Sequence, residues 1–114
     1  MRHTAGVPFH SLPILSRGSV VLDPSQLTVK VDEGNIQHLA QLEFRLLSVL
    51  LTHAGQIIPT DNIVEHVWGY CGDRNRDFVR GLVQRLRSKV ELDNKFPKYI
   101  MTEKGLVYYL KIND

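Results

Sequence analysis

The densest chemistry in this 114-residue sequence lies between residues 73 and 89, where Arg74, Arg76, Arg80, Arg85, Arg87 and Lys89 stand with only two acids, Asp73 and Asp77. The arginine fork donates paired hydrogen bonds to phosphate or to the O6/N7 edge of guanine, and the amide of Gln84 has the donor and acceptor that pair with adenine. Residues 1–72 hold four basic and six acidic groups and residues 90–114 hold four of each, so a net charge of +2 conceals local sums of −2, +4 and 0. That concentration is the footprint of an element that meets a polyanion from an otherwise neutral scaffold. A solvated helix face is the rival reading of the charge taken alone.

Nothing else in the chain assembles a reaction centre. His3, His10, His38, His53 and His66 have neither metal-ligand spacing nor a paired nucleophile, and Asp61 and Glu65, one helical turn apart, read as a solvated face. A mass of 13.0 kDa leaves room for one modest core rather than an enclosed cofactor cavity. No enzyme, metal or cofactor is therefore expected. The lone Cys71 cannot form an internal disulfide, and no stretch reads as a secretory signal or a membrane span. A reducing, cytoplasmic setting without a membrane partner follows.

The elements that must position the basic segment are legible in the hydrophobic pattern. Residues 1–17 read as a flexible tail or linker, leaving 18–114 as one domain. Val20-Val21-Leu22 is a short strand ended by Asp23-Pro24-Ser25, and Leu27, Val29 and Val31 alternate as a second strand before Asp32-Glu33-Gly34-Asn35 turns the chain. Ile36 and Leu39 close a small antiparallel sheet. From Leu39 to His53 the leucines fall on one broad helical stripe that stops at Ala54-Gly55. Pro59 to Asn62 starts a second helix, with Ile63, Val64, Val67 and Trp68 on one side and Gly69 at its end.

A third helix is expected from about Arg76 to Leu92. At 100° per residue, Val79, Leu82, Val83, Leu86 and Val90 share one side. Asp77, Gly81, Gln84, Arg85 and Ser88 share the other, with Arg80 and Arg87 on a flank. Gly81 and Ser88 add no bulk there, so another molecule can approach closely. Tyr99 to Thr102 and Leu106 to Ile112 then form two strands joined by a tight turn at Glu103-Lys104-Gly105. Two short helices followed by a basic helix and a hairpin have the shape of a helix-turn-helix with a wing.

Five pieces of the sequence carry a resemblance over nearly the whole chain after the tail. They are Gly18 to Pro24, Leu39-x-x-x-Glu43-Phe44-Arg45-Leu46-Leu47, Val67-Trp68-Gly69-Tyr70, Val79 to Val90, and Ile100-x-Thr102-x-Lys104-Gly105-x-x-Tyr108. In that order and spacing they resemble the C-terminal effector domain of OmpR/PhoB-type response regulators. The resemblance implies an α+β fold: a winged helix-turn-helix with an N-terminal antiparallel sheet, three helices and a C-terminal β-hairpin wing. It also implies sequence-specific binding to double-stranded promoter DNA for transcriptional regulation. The third helix would enter the major groove with Gln84 and Arg85 at positions that meet DNA, Arg85 being the base reader, and Arg76, Arg80, Gly81 and Ser88 of the same helix are further candidate DNA-binding residues. Arg87 would meet the DNA backbone, and Lys104 the backbone or the minor groove.

The same resemblance makes the loop Gly69, Tyr70, Cys71, Gly72, Asp73, Arg74 and Asn75 a contact for RNA polymerase. It implies head-to-tail pairing on DNA, and a receiver domain and a histidine kinase as partners of a longer protein. The departures point in their own direction. Ala40 stands where the family favours a capping Thr, Phe78 and Arg80 replace small polar and acidic residues, Gly81 replaces a branched residue, Leu82 replaces a frequent His, and Val107 stands for a second wing glycine. Gly81, Leu82 and Phe78 motivate an alternative: a protein-interaction module that keeps the winged-helix scaffold without specific DNA readout.

Overall fold

The structure is a computed structural model that describes residues 13–69, 76–93, 95–104 and 107–111. It begins with a four-stranded antiparallel sheet of β1 (Leu15–Arg17), β2 (Val20–Asp23), β3 (Thr28–Val31) and β4 (Gln37–His38), paired in chain order. Alternation along β2 places Val20 and Leu22 in the core, and Leu22 sits opposite Val29 on β3. The Asp23-Pro24-Ser25 turn is closed by the Asp23 carboxylate, which accepts the Ser25 N–H at 3.0 Å and the Ser25 hydroxyl at 2.7 Å. Leu15–Arg17, expected among the tail residues 1–17, pairs with β2, and Leu15 packs on the core. Residues 1–12 lie outside the described residues.

Helix α1 (Gln41–Thr52) supplies the centre of the core, with Leu46, Leu47, Leu50 and Leu51 all at most 1 % exposed. Ala40 has no side chain to cap the helix, and only the reciprocal half of a capping box forms: Glu43 Oε1 accepts the Ala40 N–H at 2.9 Å. At the other end Gly55, at φ +85°, turns the chain so that its N–H reaches the carbonyl of Leu110 at 2.9 Å. A strand too short to read from sequence, β5 (Ile58–Pro59), leads into α2 (Thr60–Trp68), which ends at a left-handed Gly69. Arg45 of α1 donates to the Val67 carbonyl at 3.1 Å and so satisfies one of the last acceptors of α2.

Helix α3 (Arg76–Val90) ends two residues before the expected Leu92, which is 97 % exposed. Strands β6 (Ile100–Glu103) and β7 (Val107–Leu110) form the expected hairpin, with β5 added on the far side to give the order β5-β7-β6. One face of α3 is buried as read, with Val79, Leu82, Val83 and Leu86 at most 1 % exposed.

The end of α3 is bolted to the edge strand β6 by two side chains one helical turn apart. Lys111 N–H bonds the Tyr99 carbonyl at 2.8 Å, an alternation that turns both polar groups of Ile100 away from β7. Helix α3 satisfies them. Arg87 Nε and Nη2 donate to the Ile100 carbonyl at 3.2 and 2.8 Å. Glu91 Oε2 accepts the N–H groups of Ile100 and Tyr99 at 2.8 and 2.9 Å, and its Oε1 accepts that of Lys98 at 2.7 Å. Arg87, expected at the DNA backbone, is only 7 % exposed, and its guanidinium is engaged by the Ile100 carbonyl.

Removing either side chain strands buried backbone groups, and Glu91 leaves three N–H donors at once. Glu91→Ala is expected to cost ~3 kcal/mol of stability and Arg87→Ala ~2 kcal/mol, read from urea unfolding. A loss below ~0.5 kcal/mol in both variants would show that water replaces these bonds without penalty.

Candidate nucleic-acid interface

Short-range contacts shape the exposed face of α3. Gln84, Arg85 and Ser88 are exposed along its outer side, and Gly81 lies between them and the helix start. The Ser88 hydroxyl donates to the Arg85 carbonyl at 2.6 Å, folding its short side chain back onto the helix. Arg80 pairs with Asp77 at 3.2 Å, both side chains mostly exposed, so the contact orients more than it stabilises. Arg76 opens the helix, and its side chain lies outside the described residues. The wing turn brings Lys104 to the surface at φ +59°, exposed and beyond the end of β6.

The six cations of the basic segment therefore divide into separate tasks. Arg87 holds β6. Lys89 holds Glu43 and the His38 carbonyl, each at 2.7 Å from Nζ, and so ties α3 to α1 and to β4. Arg80 and Arg85 remain at the surface, with Arg85 Nε 4.0 Å from Glu43 Oε2 and its side chain 63 % exposed. Arg74 falls among residues 70–75, outside the described residues. The loop expected to touch RNA polymerase shares that position, apart from Gly69 at the end of α2.

Glu43 is the electrostatic pivot of the interface, and the sequence gives little hint of it, since its cationic partners lie more than forty residues away on another helix. Its side chain is 6 % exposed. Burial opposes its charge, but the hydrogen bonds from Lys89 and the Ala40 N–H, with the charges of Lys89 and Arg85, prevail and hold the carboxyl below its ordinary value. One carboxylate thus caps α1, anchors Lys89 and faces the guanidinium of Arg85. Trp68, Phe44 and Tyr108 pack with the core, while Asp61 and Glu65 are exposed as read. Among the described residues no cluster of three or more His, Cys, Asp or Glu is arranged to hold a metal, and no helix is long and apolar enough to cross a membrane.

Because its folded value is lowered from 4.5, Glu43 contributes stability that is complete above that pH and is lost as the pH falls through the folded value. Wild type is expected to lose urea resistance on acidification below about pH 4.5, whereas Glu43→Gln is weaker at neutral pH and flatter in that window. Urea midpoints of both proteins across the acid range check this. Parallel acid slopes would remove Glu43 from the account.

Residues 34–110 match the model of the family described as "Transcriptional regulatory protein, C terminal". The chain is 31 % identical over 96 residues to the KDP operon transcriptional regulatory protein KdpE of Escherichia coli, covering 84 % of this chain and 42 % of that protein. It thus spans less than half the length of that relative. The crystal structure of the Klebsiella pneumoniae RstA DNA-binding domain in complex with the RstA box superposes with a TM-score of 0.74 at 30 % identity, covering 86 % of this chain and 96 % of that one. The response regulator DrrB of Thermotoga maritima, an OmpR/PhoB homologue, gives a TM-score of 0.73 at 26 % identity over 86 % of this chain and 44 % of its own. With strands, three helices and hairpin in matching order, the chain belongs to the family of C-terminal winged-helix effector domains of OmpR/PhoB-type transcriptional regulators.

Proposed function

We propose that this domain reads a specific sequence in double-stranded promoter DNA, with α3 in the major groove and the β6–β7 wing on the backbone or minor groove. The observation that carries the reading is the outer face of α3. Gln84 and Arg85 project from a helix whose other sides are clamped to α1 and β6, so their positions are fixed before any partner arrives. Arg85 is the base reader, and Gln84, Arg80, Arg76 and Ser88 accompany it. Lys104 supplies phosphate attraction from the wing. The relative of known structure bound to its DNA box supports the same use of this fold.

The finer partnerships belong to the same proposal. Residues 18–114, with Leu15–Arg17 now added, form the DNA-binding unit, preceded in the full protein by a receiver that a histidine kinase phosphorylates. Two copies pair head to tail on adjacent half-sites, and the loop from Gly69 to Asn75 meets RNA polymerase. A cytoplasmic location accords with these tasks.

Arg85→Ala is expected to lower affinity for a selected operator by ~1 to 3 kcal/mol while barely changing affinity for a scrambled duplex. Lys104→Ala is expected to weaken both duplexes alike and to reduce the log-log salt slope by about one. Titrations of both variants at several salt concentrations check the division. Equal losses on both duplexes for Arg85→Ala would contradict base reading, and a wild type without any preference would favour the interaction-module alternative.

A further inference from the structure

Two residue choices on α3 have no explanation within the fold. Phe78, the third residue of the helix, is 53 % exposed, so about half of a large apolar ring forgoes the gain of burial, and helix propensity does not favour it. Three residues on, Gly81 weakens the helix relative to alanine, yet a Cβ built there would meet nothing within 4 Å. Internal packing therefore does not require the glycine. The two residues border one open depression of about 290 Å³, shared with Leu42, Trp68, Asp77 and Arg85.

Resting on the DNA-binding reading above, we infer that Phe78 reads thymine: its ring and the gap above Gly81 take the 5-methyl group of a thymine in the major groove. The edges of the bases there are hydrogen-bonding groups, and the thymine methyl is the apolar exception, which a phenyl ring can meet. The first turns of a recognition helix are the ones that reach base edges. Charge favours this occupant over an apolar protein segment. Arg85 lines the depression, and Arg80 lies one turn from it on the same helix and holds Asp77, the acid at its rim, at 3.2 Å. Without a Cβ at position 81, the base edge can come close enough to touch the ring.

The test exchanges thymine for uracil, which lacks only that methyl group. An operator selected by the 114-residue chain from random duplexes is remade with uracil at each thymine in turn and titrated with wild type and with Phe78→Ala. At one or two positions wild type is expected to bind the uracil duplex about fourfold more weakly, while Phe78→Ala binds thymine and uracil versions equally. Should Phe78→Ala melt below the assay temperature, Phe78→Gln, of similar reach but polar, carries the same comparison. Operator preference with no uracil effect at any position overturns the inference and leaves DNA reading intact, as does a uracil effect unchanged in the variant. If no operator can be selected at all, the DNA reading fails and takes this inference with it.

Discussion

The buried backbone of Ile100 imposes the condition that the rest of this structure serves. Strand β6 lies at the edge of its sheet, with a carbonyl and an N–H facing away from β7, and such groups carry a heavy penalty unless they find partners. Arg87 and Glu91 provide them from the last turn of α3 and just beyond it. The edge strand is thereby covered, and helix and wing become one piece. Wherever the outer face of α3 points, the wing follows.

A second constraint acts from the opposite flank. Glu43 spends one carboxylate on the start of α1, on Lys89 and on the neighbourhood of Arg85, drawing α3 against α1 through charge-assisted bonds as short as 2.7 Å. Buried ion pairs seldom add much net stability, and here the pair holds α3 in one orientation against α1. The outward residues then hang from a rod restrained on both sides. Two of the six cations of the basic segment, Arg87 and Lys89, are used in building that rod. Arg80, Arg85 and Lys104 are the described cations left exposed at the helix face and wing tip.

The leucine stripe of α1, the apolar side of α3 and the alternation of β2 were legible because each buries one periodic face, and periodicity survives in sequence. What escaped was set by tertiary partners. Arg87 lies near the polar flank by helical angle, but about 80° from the axis of the buried stripe, close enough to be drawn in by the carbonyl of Ile100. Glu43 and Glu91 look like ordinary surface acids until strands and helices distant in sequence converge on them. β1 has one core-facing residue, Leu15, and β5 only two residues in all, too few for a period to show. Of the site, the outward positions of Gln84, Arg85 and Lys104 were readable from spacing. The exposure of Phe78 and the empty space over Gly81 needed coordinates.

The central claim, that the outer face of α3 enters the major groove, can be tested without altering the protein. Methylation interference on a selected duplex separates the grooves, because dimethyl sulfate modifies guanine N7 on the major-groove edge and adenine N3 on the minor-groove edge. The account predicts that N7 methylation at one or more guanines within each half-site blocks binding by the wild-type chain. Full binding to duplexes methylated at every guanine N7, with interference confined to adenine N3, would contradict it.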